Sequence, residues 1–222
     1  ALSAEDGNGR NIAIGYSALR DQNAGAEAYN IAIGFDTGKL ITTGNENVLI
    51  GGLAGDALTT GGNNTAIGKN ALSSEDAGSY NVAVGTNALS AQDAGDAYNV
   101  AVGSNAGQNV TSGIRNTLIG GLAGDALTTG GLNVAIGHQA LGAEDEHGRN
   151  VAIGYEALMS QNAGADAYNV AVGFNAGLSM STGANNTLIG GQTGNALTTG
   201  ARNVAVGYDA LGAENAHGRN VA

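Results

Sequence analysis

Short apolar segments recur along the chain at an almost constant spacing. The phrase Asn-(Val/Ile/Thr)-(Ala/Leu)-(Ile/Val)-Gly occurs twelve times, and neighbouring copies start 17 to 19 residues apart. A short and regular period is typical of a solenoid, in which each repeat forms one coil and packs on the next. We therefore predict an all-β fold, a parallel β-solenoid. The phrases begin at Asn11, Asn30, Asn47, Asn64, Asn81, Asn99, Asn116, Asn133, Asn150, Asn169, Asn186 and Asn203, and a truncated copy begins at Asn220.

Each coil is numbered here in columns from its asparagine, so that column 1 is Asn and column 5 is Gly. Columns 2 and 4 carry mostly β-branched residues, as in Ile12 and Ile14, whereas column 3 carries Ala or Leu. Because side chains alternate along a strand, columns 2–4 are predicted to form a short strand. We expect columns 2 and 4 to face the core and column 3 to face outward. The constant glycine predicts a corner that requires a positive φ or a close backbone approach.

Two further columns vary together. Column 9 follows the order Leu, Gly, Gly, Leu in successive coils, and this order occurs three times. Column 12 is apolar in each coil with Gly at column 9, and it is Gln or Glu in each coil with Leu there. A narrow core must keep its volume constant, so this pattern indicates compensation between the two columns. It also predicts two coil shapes, arranged in pairs.

A longer period of about 70 residues groups the coils in fours. The super-repeats run over residues 11–80, 81–149 and 150–219 of one solenoid domain spanning 1–222. The first coil of each super-repeat is the longest, and its extra residues, as in 23–29 and 162–168, are predicted to bulge outward. Because the chain begins and ends inside a coil, we expect it to be a segment of a longer fibre.

Charge and composition narrow the possible partners. The net charge is −11, from 19 acidic and only 8 basic residues, which disfavours binding to nucleic acid or anionic lipid. No apolar run approaches the ~20 residues of a membrane-spanning helix, so no membrane insertion is expected. Acidic residues gather at the end of the coils with Leu at column 9, as in Glu75-Asp76 and Glu144-Asp145-Glu146, and are predicted to form a solvated outer face.

The asparagine column is the first candidate functional feature. Stacked asparagines could present a ligand array, but their side chains also hydrogen-bond along the axis of a stack and satisfy turn amides. Because buried polar groups are normally paired, we predict a structural Asn ladder along column 1.

A calcium site is the second candidate. The segments 51–58 and 120–127 resemble the calcium-binding nonapeptide of RTX β-rolls, with Asp56 and Asp125 as the weak candidate ligands. The glycine before each aspartate is displaced by one position, and the third copy has Asn195 instead. Too few carboxylates are present for a hard-cation cage, so neither a metal nor any other cofactor is expected.

Threonine pairs and histidines are the remaining candidates. Threonine pairs such as Thr59-Thr60 could form an ice-binding row, but the rows last two coils and then stop, which favours a role in packing and turn capping. The three histidines are His138, His147 and His217, and no catalytic set surrounds them in the sequence. We therefore predict that the chain is not an enzyme.

The phrases NVAIGYEAL at 150–158, NVAVGTNAL at 81–89 and NVAVGYDAL at 203–211 resemble two families of repeats. One is the head of trimeric autotransporter adhesins of the YadA type. The other, which shares Gly-Tyr-x-Ala-Leu, is the repeat array of phage tail fibres and related surface proteins. The resemblance implies a left-handed β-roll, a homotrimer, a host-cell or surface receptor, and an extracellular location on a virion or a bacterial cell.

A stripe of small apolar side chains along the outer face would suit such a trimer. With column 3 outward, the predicted Ala/Leu stripe would need covering, and three identical rolls could bury it. The leading hypothesis is a structural or adhesive fibre segment that spaces and presents receptor-binding surfaces. The alternatives are an ice- or surface-binding solenoid and a calcium-dependent or enzyme-bearing roll.

Overall fold

Twelve three-residue strands build the fold. The computed structural model describes residues 1–4 and 9–222. The strands are β1 (Ile12–Ile14), β2 (Ile31–Ile33), β3 (Val48–Ile50), β4 (Thr65–Ile67), β5 (Val82–Val84), β6 (Val100–Val102), β7 (Thr117–Ile119), β8 (Val134–Ile136), β9 (Val151–Ile153), β10 (Val170–Val172), β11 (Thr187–Ile189) and β12 (Val204–Val206).

The strands form one parallel sheet in sequence order, from β1 to β12. Columns pair with themselves throughout, so that Val134 lies opposite Val151 and Ala135 lies opposite Ala152. The longer coils keep this register, because their extra residues lie outside the strand. Each coil thus adds one strand to the stack, and the predicted parallel β-solenoid of ~17-residue coils is confirmed.

The strands present the opposite face to the core from the one predicted. Column 3 is fully buried in nearly every coil, as at Ala32 and Leu118, whereas columns 2 and 4 are half-buried or exposed, as at Ile119. The prediction that columns 2 and 4 face inward is wrong, and so is the predicted outward Ala/Leu stripe. A three-residue strand directs only one side chain inward here, and the core accepts a small one because leucine side chains from columns 9 and 12 fill the rest.

Leucine at column 3 fills the space that glycine leaves at column 9. A Cβ added to Gly107 would lie 2.6 Å from Leu118 Cδ1, and one added to Gly124 would lie 2.8 Å from Leu118 Cδ2. Leu49 and Leu188 lie in the same way against the glycines of their own super-repeats. The volume compensation predicted for columns 9 and 12 therefore includes column 3 as well.

The backbone at column 9 does not differ between the two kinds of coil. Leu141 has a φ of 55° and Gly124 has a φ of 57°, both in the left-handed region. The prediction of two coil shapes is wrong at this corner, because the side chain changes and the backbone turn does not. Leucine accepts the left-handed conformation there at a cost of ~1–2 kcal/mol, offset by its complete burial.

The column 5 glycines form corners with positive φ, and the extra residues of the longer coils bulge outward, as the sequence predicted. Column 5 has φ between 127° and 145° in all twelve coils, a region open in practice only to glycine. In the first of the longer coils, residues 23 and 25–27 are exposed. Ala28, Ala97 and Ala167, one in each longer coil, are buried and anchor the bulges. The glycine of each bulge, such as Gly164, has no heavy atom of the described residues within 4 Å of an added Cβ.

Candidate functional site

The outer face of the sheet is a regular surface that runs through all twelve coils. It consists of columns 2 and 4, whose β-branched side chains stand in two parallel rows along all twelve strands. In the interior coils the exposure reaches 41% at Ile189, and in the two end coils it rises to 58% at Ile14 and 60% at Val206. A continuous apolar stripe of this kind is typical of an interaction surface. The sequence predicted such a stripe but placed it in the wrong column.

Aromatic rings extend this stripe at column 6. Tyr16 stacks on Phe35 at a centroid distance of 5.5 Å, and His138, Tyr155 and Phe174 stack in series at the same spacing. The rings cover one another's faces, so they present their edges to solvent. One cluster of rings therefore flanks the β-branched rows at the beginning of the first super-repeat, and the other spans the boundary between the second and third.

The bulges of the longer coils carry a second exposed feature. Arg149 pairs with Asp166 at 2.6 Å and lies over the ring of Tyr168, and Arg10 has the same relation to Glu27 and Tyr29. In the second super-repeat the corresponding Tyr98 stacks on Tyr80 with a centroid distance of 5.0 Å. Exposed tyrosine and arginine are residue types enriched in binding surfaces. The tyrosine recurs in all three super-repeats, and an arginine lies over it in the first and third.

The asparagines of column 1 form a continuous ladder inside the rod. Each side-chain oxygen accepts the backbone N–H of the next asparagine at 2.8 to 3.1 Å. In nine coils the side-chain nitrogen also donates to the column 15 carbonyl of the same coil. Each of these side chains therefore links its coil to the next one and also links the beginning of its own coil to column 15. Because the ladder is buried, it offers no surface for a ligand.

Replacing Asn116 by alanine is expected to lower the free energy of unfolding by about 2 kcal/mol. The change removes the acceptor for the Asn133 N–H and the donor to the Gly130 carbonyl, each worth ~1 kcal/mol when buried. Urea denaturation followed by circular dichroism measures the effect. Asn109→Ala is the control, because it removes only an exposed bond to the Asp125 carbonyl, and its effect should stay within ~0.5 kcal/mol. Equal effects of the two substitutions would contradict the ladder's structural role.

The prediction that the acidic corners form a solvated face is wrong for column 12. Glu75 and Glu144 are fully buried, and so are the glutamines at this column in the longer coils. Gln92, for example, accepts a hydrogen bond from Asn99 at 2.6 Å and donates to the Thr111 carbonyl at 3.1 Å. Burial raises the pKa of both glutamates above the usual range. The polar residue at this column can turn inward because its oxygens accept hydrogen bonds from the Asn ladder or from backbone N–H groups.

The two aspartates predicted as weak calcium ligands lie outside the acidic clusters. Asp56 Oδ2 is 3.3 Å from Lys39 Nζ, a cation that already neutralises part of its charge. Asp125 is partly buried, and its burial raises the pKa of the carboxyl group. In the described chain, the side chains grouped closely enough to hold a metal ion are Glu144, Asp145 and His147, and Glu75, Asp76 and Asp93.

The threonine pairs lie at the surface of the rod, where several of their hydroxyls bond to the next coil. The first threonine of a pair donates to the carbonyl of the next coil, as from Thr59 to Asp76 at 3.0 Å and from Thr128 to Asp145 at 2.9 Å. These bonds join neighbouring coils, so they agree with the packing role predicted for the threonine pairs, whereas local turn capping is not what these hydroxyls do. The first hydroxyl of each of these pairs is engaged along the stack, and the rows are still interrupted after two coils, as the sequence indicated.

The three histidines lie on separate surfaces. His138 belongs to the aromatic stack at column 6, whereas His147 and His217 occupy column 15 beside the glutamates of their own coils. Across residues 1–4 and 9–222 the surface contains no pocket. Over the same residues, no helix has the length and apolar character needed to cross a membrane.

Comparisons with known proteins found no match to this chain. The chain matched no protein-family model, no curated protein and no solved structure, so proposals about its function rest on the geometry of the rod and on its sequence.

Proposed function

We propose that the chain is a structural segment of an extracellular fibre, a phage tail fibre or a bacterial surface adhesin. Its role is to space and present receptor-binding surfaces. The observation that supports this most strongly is the unbroken register of strand, Asn ladder and corner glycine through all twelve coils. At ~4.8 Å per coil, twelve coils extend ~58 Å, so such segments give length at constant width.

The fibre is proposed to assemble as a homotrimer through the outer face of the sheet. Columns 2–4 make a strip ~58 Å by ~10 Å, and columns 5 and 6 widen it to ~900 Å². The whole strip is about as large as the ~800 Å² that one partner buries in a standard interface, and in a trimer each copy divides it between two neighbours. The β-branched rows are stiff and in register from end to end, so identical copies can pack along the whole length. The resemblance of the sequence to trimeric fibre repeats supports three copies.

Light scattering at micromolar concentration is expected to give the mass of three copies of the 21.7 kDa chain. The double variant Ile119→Lys with Ile189→Lys should give a folded monomer, because two charges per chain would be desolvated in the interface. Thr43→Lys is the matched control, since Thr43 is exposed on another side of the coil and the variant should remain a trimer. A monomeric wild-type protein, or a double variant that stays trimeric, would contradict assembly through this face.

The bulges of the longer coils are the proposed contact surface for a receptor. They project from the rod once in each super-repeat, and each carries tyrosine next to a carboxylate of the same bulge, as Tyr168 does with Asp166. Repeated sites on one rod bind a multivalent surface more tightly than a single site does. A host-cell surface with many copies of one receptor is such a target.

A further inference from the structure

Coil 8 contains a buried carboxylate with an unsatisfied oxygen. Glu144 is fully buried, and its Oε1 accepts the backbone N–H of His147 at 3.3 Å. Among the described residues, neither Glu144 Oε2 nor His147 Nδ1 has a hydrogen-bond partner, although both atoms are buried. Buried polar atoms are paired in the large majority of cases. His147 Nδ1 lies 3.8 Å from Glu144 Oε1, too far for a hydrogen bond. Two buried atoms of ligand type at one corner therefore lack hydrogen-bond partners, and they point to a binding site.

Asp145 completes a group of three potential ligands. One ligand atom each from Glu144, Asp145 and His147 lies within 4.8 Å of the other two. The His147 side chain is 26% exposed and Asp145 is partly exposed, while Glu144 lies beneath them. The corner is therefore open to solvent on one side and closed by a carboxylate on the other. An ion could enter from solvent without unfolding the coil.

The equivalent corner of coil 4 lacks these features. There Glu75 Oε1 accepts the Gly78 N–H at 2.7 Å and Oε2 accepts the Ala94 N–H at 3.5 Å, so both oxygens are used. Glycine also takes the place of the histidine. The acidic group of Glu75, Asp76 and Asp93 is therefore explained by its own hydrogen bonds.

The equivalent corner of coil 12 differs in another way. Glu214 Oε1 accepts backbone N–H groups of the following three residues and lies 2.8 Å from His217 Nδ1. These hydrogen bonds, that of the His217 N–H first, lower the pKa of Glu214 to about 2, whereas burial raises the pKa of Glu144. The residue corresponding to Asp145 is Asn215, and His217 is 86% exposed. Of these three described corners, coil 8 alone joins a buried unpaired oxygen to a carboxylate and an imidazole.

We propose that Glu144, Asp145 and His147 bind a divalent transition-metal cation of the Zn²⁺ type. One imidazole and two carboxylates are the donor set that such ions accept, with water in the remaining position. Calcium and magnesium are poorer candidates, because they require six or more oxygen ligands. A bound ion would link the buried Glu144 to the partly exposed Asp145 and His147, and we expect this link to stabilise coil 8. The site is independent of the fibre function proposed above.

Titration of the full chain with ZnCl₂ in a calorimeter tests the site. The wild-type protein is expected to bind one equivalent per chain and to unfold at a higher temperature with Zn²⁺ present. Glu144→Gln should weaken binding at least ~10-fold and remove the thermal shift. This variant is expected to fold, because glutamine occupies the same buried column at Gln22, Gln92 and Gln161. His147→Ala should behave in the same way toward Zn²⁺.

His217→Ala is the matched control, and it should bind Zn²⁺ with the affinity of the wild-type protein. Circular dichroism without metal verifies that each variant is folded. The proposal is overturned if the wild-type chain shows no saturable binding. Undiminished binding in Glu144→Gln also overturns it, because the ion would then be held by general negative charge. Loss of binding in His217→Ala would place the ion in coil 12 and overturn the assignment.

Discussion

Replacing Gly120 by alanine is expected to lower the free energy of unfolding by about 4–6 kcal/mol, the largest effect of any single substitution considered. The φ of Gly120 is 135°, a conformation that costs ~1–3 kcal/mol for a residue with a side chain. The new Cβ would lie 2.5 Å from the carbonyl oxygen of Gly137 in the next coil. That oxygen belongs to the stacked backbone and cannot move away without separating the strands, which adds several kcal/mol.

Gly164→Ala provides the matched comparison. Gly164 also has a positive φ, of 67°, but it lies in a bulge where no described atom comes within 4 Å of the added Cβ. Its cost should be limited to the ~1–2 kcal/mol of the left-handed conformation. Urea denaturation of both variants measures the difference. If Gly120→Ala is as stable as Gly164→Ala, the close stacking of corners between coils is wrong.

Leu118→Ala is expected to cost about 2–5 kcal/mol, the second-largest effect. Leu118 is fully buried and fills the space beside Gly107 and Gly124, so its truncation leaves a cavity bounded by two glycines. Glycine has no side chain that could move into the cavity, so little relaxation is possible. The midpoint of chemical denaturation measures the loss.

Ile119→Ala distinguishes the two possible faces of the strand. Ile119 is the next residue in the same strand and is 37% exposed, so its truncation should cost only ~1 kcal/mol. Measurements at two protein concentrations separate this cost from any contribution of assembly. A larger effect at Ile119 than at Leu118 would restore the sequence-based prediction that columns 2 and 4 face the core.

Much of the fold followed from the period of the sequence. The parallel solenoid, the corner at column 5 and the outward bulges at 23–29 and 162–168 depend on features that recur at fixed positions. A glycine retained in every coil has few explanations other than backbone geometry, and extra residues in a closed coil can only project outward. These predictions did not require knowledge of which side chains were buried.

The direction of the strand faces could not be predicted in the same way. In a three-residue strand, alternation places columns 2 and 4 opposite column 3, but all three columns are apolar here. Hydrophobicity therefore did not distinguish the faces, and the bulk of valine and isoleucine favoured the wrong one. The deciding contact, Leu118 against Gly107 and Gly124, joins residues of two coils. It becomes visible only when the coils are stacked.

The buried polar residues of column 12 were misplaced for a related reason. Glutamine and glutamate are usually exposed, so Glu75 and Glu144 were assigned to a solvated corner. The two glutamates accept backbone N–H groups such as those of Gly78 and His147, and the glutamines of this column, such as Gln92, bond to the Asn ladder. The candidate metal site at Glu144 was missed with them, because its signal is an unpaired buried oxygen and not a sequence motif.

The spacer role requires that successive super-repeats form one stiff rod, and a distance measurement between spin labels tests this most directly. The chain has no cysteine, so Thr43→Cys and Thr182→Cys give two unique labelling sites outside the proposed interface, both exposed at column 14 and eight coils apart. With the labelled chain diluted in unlabelled chain, pulsed electron paramagnetic resonance should give one narrow distribution near ~38 Å, eight coils at ~4.8 Å each. A broad distribution, or a mean well below this value, would show bending at the longer coils and would contradict the proposed role.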